Sequence, residues 1–344
     1  MHHDIISHVT DDSDIRRPPE QWRLCELLQH SGLGFAADER QRLIAQDQLL
    51  VNDQPAELNA GFAAGDRVSI EGVRYTVSQA APRPQLVSDT MFPDRQPGRV
   101  RVHAGYHKCL TMYSRRVYEK LCKAGQGTAS AFRHFYHRVD HFNHLADRFA
   151  VTSVSGHMLD LDRFSDIRVV RFIRDPRDLL ISGYFYHLKA KEPWCELRSP
   201  IDSDWIAVNG CVPEGLKDGE SLQQFLQRIP PGEGLLAEIE FRRAHFASMR
   251  EWNDDPRVRI YRYEDVLGNE SAVFADVAAF LGLPWRARLN ARRYARRFSA
   301  GRKKADSAHI RNPNAGQWQN HFTPEVTRVF EREHGDLLEE YGYR

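Results

Sequence analysis

The sequence predicts an α/β protein with a parallel sheet, preceded by a small α+β module. Two kinds of observation lead to this prediction. Short apolar runs at 100–104, 151–155 and 169–173 have the length and β-branched character of buried strands. Helical patterns follow the first and the third of these runs. Strands that alternate with helices are typical of parallel sheets joined by right-handed crossovers.

The composition is that of an ordinary globular protein. The chain has 344 residues, with 48 basic and 47 acidic side chains and a net charge of +1. No bulk charge therefore attracts it to nucleic acid or to a membrane. Five cysteines without a CxxC pair indicate reduced thiols and a cytoplasmic location, and they argue against a disulfide framework or a zinc ribbon. No apolar run is long enough to span a bilayer, and the first residues lack the layout of a signal peptide.

The order of patterns predicts four segments. Residues 1–20 are polar, end in two prolines and are expected to form a flexible tail. Residues 21–78 are expected to form the small α+β module. Residues 79–98 are rich in proline and have little periodicity, which favours a linker. Residues 99–344 are expected to form the large parallel-sheet domain.

The small module has two predicted helices followed by short strands. The first helix is expected to begin at Trp22 and the second spans 37–46, while Asn52-Asp53 and Gly65-Asp66 mark turns. This order resembles the RNA-binding module first seen in ribosomal small-subunit protein four. That family presents basic residues to RNA, whereas this segment is net acidic. The sign of the charge argues against RNA binding and favours docking of a protein partner.

The large domain opens with a strand, a tight turn and a helix. Val100, Val102 and Ala104 alternate with polar residues, and Gly105 breaks the run before a helical pattern that includes Tyr113. We expect the N–H groups of this turn and the positive end of the new helix to face a common point, and such a point is suited to phosphate. The spacing of a Walker A motif is absent, so a nucleoside-phosphate kinase is not expected.

Residues 129–150 are predicted to be helical, with phenylalanines on one side. His137, His141 and His144 fall at i, i+4 and i+7, a spacing that permits metal ligation. No carboxylate or cysteine motif accompanies them, and the prediction is that no metal is bound there.

A second phosphate-binding pattern follows the buried run at 169–173. Arg174 stands at the end of the predicted strand, and Pro176 is placed to open a helix that includes Ser182. An arginine at this point offers a fork of donors to a phosphate. Farther on, residues 292–304 form a strongly basic stretch that is interpreted either as a solvated face or as a site for an anionic acceptor or nucleic acid.

Residues 99–344 resemble the PAPS-dependent sulfotransferase family, whose domain is P-loop-like. The family's phosphosulfate loop is usually Pro-Lys-Ser-Gly-Thr-Thr-Trp, and the residues in those places here are His107, Lys108, Cys109, Leu110, Thr111, Met112 and Tyr113. The run from Arg174 to Asp178, with Ser182, matches the 3′-phosphate motif. Tyr263-Glu264-Asp265 and a final signature around Gly316 and Trp318 complete the resemblance.

The resemblance implies the donor 3′-phosphoadenosine 5′-phosphosulfate, without a metal. It places Lys108, Thr111 and the rest of the 107–113 loop at the phosphosulfate. It places Arg174, Ser182, Arg311 and Asn312 at the 3′-phosphate, where Asn312 replaces a lysine of the family, and Tyr263 near the adenine. His157 corresponds to the catalytic base, although Ser155 stands where the family has a lysine. Cys109 occupies a serine position, and a covalent thiol intermediate is not expected.

The expected reaction is sulfuryl transfer to a hydroxyl of a small-molecule or carrier-bound acceptor. Aromatic residues in 132–149 and 184–205 suggest a ring-bearing acceptor, whereas the basic stretch suggests an anionic one, and both stay open. The alternative is an RNA- or partner-binding adaptor whose transferase-like domain is inactive. Leu110, Met112 and Ser155 depart from the family pattern and keep this alternative open.

Overall fold

The chain divides into two compact units, residues 1–90 and residues 91–344. The computed structural model describes residues 22–23, 27–28, 37–57, 61–80, 83–89, 96–123, 132–135, 139–155, 159–190, 192–299 and 314–344. None of the helices in these ranges is long and apolar enough to cross a membrane.

The first unit is built on an antiparallel sheet. Its elements are β1 (Trp22–Arg23), α1 (Ala37–Ala45), β2 (Leu49–Val51), β3 (Gln54–Pro55), β4 (Gly61–Phe62), β5 (Arg67–Ile70), β6 (Val73–Ala80) and β7 (Arg83–Ser88). The sheet order is β3-β2-β5-β6-β7, and β1 pairs separately with β4. Alternate strand residues such as Val68, Ile70 and Tyr75 are buried with Leu43, as a sheet with one covered face requires.

Two expectations for this unit differ from the structure. The first helix was expected to begin at Trp22, but residues 22–23 form a strand that pairs with residues 61–62. The predicted linker at 79–98 contains β7, which pairs with β6 from Tyr75–Ser88 to Ala80–Arg83. Pro84 belongs to β7, and an edge strand tolerates a proline because one side of its backbone needs no partner. The turn at Asn52-Asp53 is confirmed, since both residues have positive φ, 48° and 65°.

The second unit alternates strands and helices. Its elements are β8 (Gln96–Gly105), α2 (Thr111–Lys123), β9 (Phe132–Phe135), α3 (Val139–Leu145), β10 (Val151–Ser155), β11 (Phe164–Ile173), α4 (Pro176–His187), α5 (Pro193–Glu196), α6 (Leu222–Arg228), α7 (Pro231–Phe241), α8 (Arg243–Met249), β12 (Val258–Arg262), α9 (Tyr263–Val266), α10 (Glu270–Phe280), α11 (Trp285–Phe298) and α12 (Pro324–Glu340). The five strands form one sheet in the order β12-β11-β8-β10-β9, and every pair is parallel. The predicted α/β class with a parallel sheet is confirmed.

The sheet is covered on both faces. Val170 and Phe172 of β11 pack with α2, α10 and α11, whereas Ile173 packs with the helices from α4 to α8 and with α12. Val169 belongs to a third cluster, which includes Phe142 of α3. Because successive side chains of a strand point to opposite faces, this partition is what a sheet between two helical layers requires.

The predicted helix at 129–150 is wrong in its first part. Residues Phe132–Phe135 form β9, a parallel edge strand beside β10, and Val139–Leu145 is the α-helical segment among the described residues of this range. The phenylalanines at 132, 135 and 142 are spaced by three and seven residues, which fits a helix, but the pairing of residues 132–135 with β10 decides the structure.

Candidate functional site

The described residues of the predicted site follow the carboxyl ends of three adjacent strands. Gly105 ends β8, Ile173 ends β11 and Arg262 ends β12, and the register pairs Ile173 with Arg262 and Arg171 with Ala104. The loop 106–110, Arg174 and Tyr263 come directly after these strands. Open parallel sheets bind ligands at this edge because the connecting loops leave a crevice there.

The loop 106–110 is a tight turn closed on the carbonyl of Tyr106. The backbone N–H of Cys109 donates to this oxygen at 3.0 Å, and the Thr111 hydroxyl donates to it at 2.7 Å. Lys108 and Leu110 adopt left-handed φ angles of 71° and 58°. This region is unfavourable for residues that have a Cβ, so the loop is held in a strained conformation.

The strain at Leu110 leads to a test by two substitutions. Leu110→Gly and Leu110→Ala both remove the side chain, but only alanine keeps the penalty of a positive φ. We expect the glycine variant to be more stable by about 0.5–1 kcal/mol in urea unfolding. At the exposed helical Leu289 the order should reverse, because glycine is the poorer helix former there. The same order at both positions would contradict strain at Leu110.

Lys108 is half-buried beside an aromatic group. Its Nζ lies 3.9 Å from the centre of the Tyr186 ring, and Glu192 is close enough to act on its charge. The Glu192 carboxylate accepts a hydrogen bond from Trp194 Nε1 at 2.6 Å. Burial, together with the positive charge of Arg242, lowers the pKa of Lys108 from 10.5 to about 8. The amine is therefore mostly protonated at neutral pH and loses its charge as pH rises through about 8.

Arg174 is itself buried and lies among mostly buried groups. Its guanidinium carbon is 4.5 Å from the centre of the Tyr263 ring. Tyr263 is the first residue of α9. The Nε atom is buried and has no hydrogen-bond partner within the described part of the chain. Buried donors are normally satisfied, so an unsatisfied guanidinium nitrogen at the strand end is suited to an anionic ligand.

The run from Arg174 to Asp178 organises the helix that follows. Asp175 caps α4 by accepting the Arg177 N–H at 2.9 Å, and Pro176 occupies the first turn, as the sequence predicted. Asp178 accepts the backbone N–H groups of Gly316 at 2.6 Å and Trp318 at 3.0 Å. The structure thereby joins the start of α4 to the segment that resembles the last sequence signature.

Four further predicted residues lie on this edge. His107 stacks on His187 with ring centres 5.5 Å apart, and burial lowers its pKa well below the ordinary value. Burial raises the pKa of the Cys109 thiol to about 12, so the group is a neutral thiol and not a ready nucleophile. Met112 is 47 % exposed in the first turn of α2. Ser182 is half-buried on α4.

Tyr113 connects the loop helix to its neighbours. Its hydroxyl donates to the carbonyl of Ala295 at 2.8 Å, and its ring meets Phe274 edge-on at 5.4 Å. Stacking of this ring on adenine stays a prediction.

His157, Arg311 and Asn312 lie outside the described residues, as does His137. Ser155, two residues before His157, ends β10 at the same edge of the sheet, opposite Gly105. Within the described ranges no group of three potential metal ligands occurs.

Sequence reasoning missed a buried ionic network beneath the loop. Glu238 accepts hydrogen bonds from Arg242 Nε and His187 Nδ1, each at 2.7 Å, and all three side chains are fully buried. Arg242 Nη1 lies 3.0 Å from His245 Nδ1. His245 stacks on Tyr106 at 4.6 Å, just as His187 stacks on His107. The network therefore supports the two loop residues that precede Lys108.

Two signals point to this network. Gly183 of α4 faces it so closely that an added Cβ would lie 2.1 Å from Glu238 Oε1 and 2.2 Å from Arg242 Nη2. Only glycine leaves room for the ion pair at this position. In the sequence, Glu238 and Arg242 share a helical face with Leu235 and Ile239. A charged pair on an apolar helical face is consistent with burial. Spacing alone does not distinguish such a buried pair from a pair at the surface.

No curated protein matches the chain. Similar solved structures include mouse sulfotransferase SULT7A1 complexed with PAP, at 17 % identity and TM-score 0.41, over 71 % of this chain and 88 % of that one. Retinol dehydratase with retinol and PAP is 14 % identical at TM-score 0.42, over 88 % and 95 % of the two chains. At these values neither similarity adds to the argument. The family model described as "Sulfotransferase domain" matches residues 98–342, which is more than half of the chain. This chain therefore belongs to the sulfotransferase domain family.

Proposed function

We propose that the chain transfers the sulfuryl group of 3′-phosphoadenosine 5′-phosphosulfate to a hydroxyl of a small-molecule or carrier-bound acceptor. The observation that supports this most is the placement of two cationic groups at one sheet edge. Lys108 follows β8 and Arg174 follows the neighbouring β11. A donor with phosphate groups at both ends of one nucleoside needs two such groups.

The residues at this edge fit an anionic nucleotide. The buried Nε of Arg174, without a partner among the described residues, is suited to the 3′-phosphate. The loop after β8 and the first turn of α2 are suited to the 5′-phosphosulfate, because helix N-termini attract anions. Thr111 donates to its own loop in this structure, and its hydroxyl would turn toward the donor.

The donor supplies an activated sulfuryl group, and the chain supplies position and charge. An acceptor oxygen forms a bond to sulfur while the bond from sulfur to the bridging phosphate oxygen breaks. The leaving oxygen keeps the electron pair, and protonated Lys108 neutralises its charge. His157 takes the acceptor proton, a role worth about 10²–10⁴-fold. His157→Ala should therefore remove turnover and leave nucleotide binding nearly unchanged, and undiminished turnover would exclude this role.

The acceptor is proposed to approach Lys108 from the side on which several aromatic side chains lie. The ring centres of Tyr186 and Trp194 lie 5.3 Å and 5.7 Å from that of His107, in two edge-on contacts, and Trp194 donates a hydrogen bond to Glu192. Flat apolar surfaces with one carboxylate are suited to a ring-bearing hydroxyl compound.

The first test is a calorimetric titration with adenosine 3′,5′-bisphosphate and with adenosine 5′-phosphate. We expect tight binding that depends on the 3′-phosphate. Arg174→Ala should weaken the bisphosphate about 10- to 100-fold and the monophosphate little, since charged hydrogen bonds are worth about 1.5–3 kcal/mol.

Arg116→Ala is the matched control, because Arg116 is exposed on α2. It should leave both affinities unchanged. Equal losses for the two nucleotides in Arg174→Ala would contradict the 3′-phosphate assignment. No nucleotide binding by the unaltered chain would contradict the proposed donor.

A further inference from the structure

Helix α11 presents a concentrated positive face that the proposed reaction does not use. Its 14 residues include six arginines and no acidic residue. The whole chain, in contrast, has a net charge of only +1. The positive charge of this helix is thus a local feature and not a consequence of composition.

The inner side of α11 is fixed to the domain. Ala291 and Ala295 are fully buried in the cluster that includes α2 and α10. Tyr113 and Ser271 each donate a side-chain hydrogen bond to a carbonyl of α11. The opposite side is therefore held in a constant orientation toward solvent.

The outer side combines apolar and basic residues along one row. Trp285, Leu289, Arg292 and Arg296 follow at i, i+4, i+7 and i+11, so they lie on one helical face. Trp285 is 64 % exposed and Leu289 is 55 % exposed, which places both among the most exposed large apolar side chains described. Along this row the first two turns are apolar and the last two are basic, and the exposed Arg286 and Arg288 flank the apolar part.

The arginines of α11 differ from several other arginines at the surface of this chain. Ion pairs at 3.0 Å or less join Arg228 to Glu220, Arg250 to Asp336, Arg259 to Asp276 and Arg262 to Asp265. Across the described ranges, no ion pair joins an arginine of α11 to an acidic group. Rows of like charge at i, i+4 destabilise a helix, and a negatively charged partner removes that cost.

We propose that the outer face of α11 binds an anionic lipid surface. Arginines attract the headgroups, while Trp285 and Leu289 enter the boundary between headgroups and acyl chains. A nucleic acid offers phosphates but leaves an exposed leucine in water, and for this reason the lipid is the better match. Such binding lies in the membrane plane and requires no spanning helix.

The test is co-sedimentation of the full chain with vesicles. We expect binding to equimolar phosphatidylcholine and phosphatidylserine, little binding to pure phosphatidylcholine, and release by salt. Arg292→Gln with Arg296→Gln should weaken binding about 25-fold, at about fivefold per arginine. Trp285→Ser with Leu289→Ser should weaken it by at least about tenfold while keeping the salt dependence.

The control is Arg328→Gln with Arg332→Gln on α12, which removes the same charge from another surface. It should bind like the unaltered chain, and circular dichroism should give the same melting temperature for every variant. Equal loss in the control, or no preference for phosphatidylserine, would overturn the proposal. Binding of a single-stranded RNA without vesicle binding would assign the face to nucleic acid and would also overturn it.

Discussion

Replacing Lys108 with methionine should lower turnover about 10²–10³-fold, the cost of removing one group that stabilises charge on a leaving oxygen. Methionine keeps the length and apolar stem of lysine and removes only the cation. Nucleotide binding should change less than turnover, because Lys108 acts mainly on the charge that develops as the bond to sulfur breaks. Single-turnover rates and titration with adenosine 3′,5′-bisphosphate measure the two effects separately.

The pKa of Lys108 adds a pH dependence with a defined sign. Burial and Arg242 lower this pKa to about 8 in the free protein, so the cation is lost as pH rises through about 8. We therefore expect kcat/KM to fall above about pH 8. A bound anionic donor favours the charged amine, and the corresponding decline in kcat should lie at higher pH.

Lys189→Met is the matched control for Lys108→Met, since Lys189 is exposed just after α4. It should leave turnover and its pH profile unchanged. A Lys108→Met enzyme that keeps full turnover would exclude the charge-neutralising role. A pH profile that stays flat beyond pH 9 would contradict the lowered pKa.

Replacing Glu238 with leucine should lower the free energy of unfolding by about 3–5 kcal/mol. Glu238 is 1 % exposed and is the acceptor for both Arg242 and His187. Its removal leaves the Arg242 cation buried without a counter-charge. Burial lowers the pKa of His187, so this ring is a neutral donor through Nδ1, and it loses its acceptor when Glu238 is replaced.

A double variant separates charge from packing. Glu238→Leu with Arg242→Met removes both charges, and apolar replacement of a whole buried pair is often neutral. The double variant should therefore be more stable than Glu238→Leu alone. Urea unfolding by tryptophan fluorescence reports this, because five of the six tryptophans belong to residues 91–344. Exposed Glu331→Leu on α12 should change stability by less than about 0.5 kcal/mol. A similarly small loss for Glu238→Leu would show that the pair is not needed.

Local patterns predicted the parts of the site that depend on neighbours in sequence. The strand, loop and helix around Lys108 were visible because apolar alternation, a glycine and a helical period follow one another. Pro176 predicted the start of α4, since its φ and missing N–H suit the first turn. The helix at 129–150 failed in part because β9 exists through its pairing with β10, which no local period reveals.

The sequence by itself determined the parallel α/β class and the position of the proposed phosphate-binding elements, because both follow from short-range periodicity and from residues adjacent in the chain. Only the tertiary structure decided which charges are buried. From their spacing in sequence Glu238 and Arg242 would be interpreted as a surface pair, but in the structure α4 packs against them at Gly183. Asp178 contacts Gly316 and Trp318 about 140 residues away. The pKa of Lys108 depends likewise on burial and on Arg242, and these properties arise from desolvation and proximity that folding alone creates.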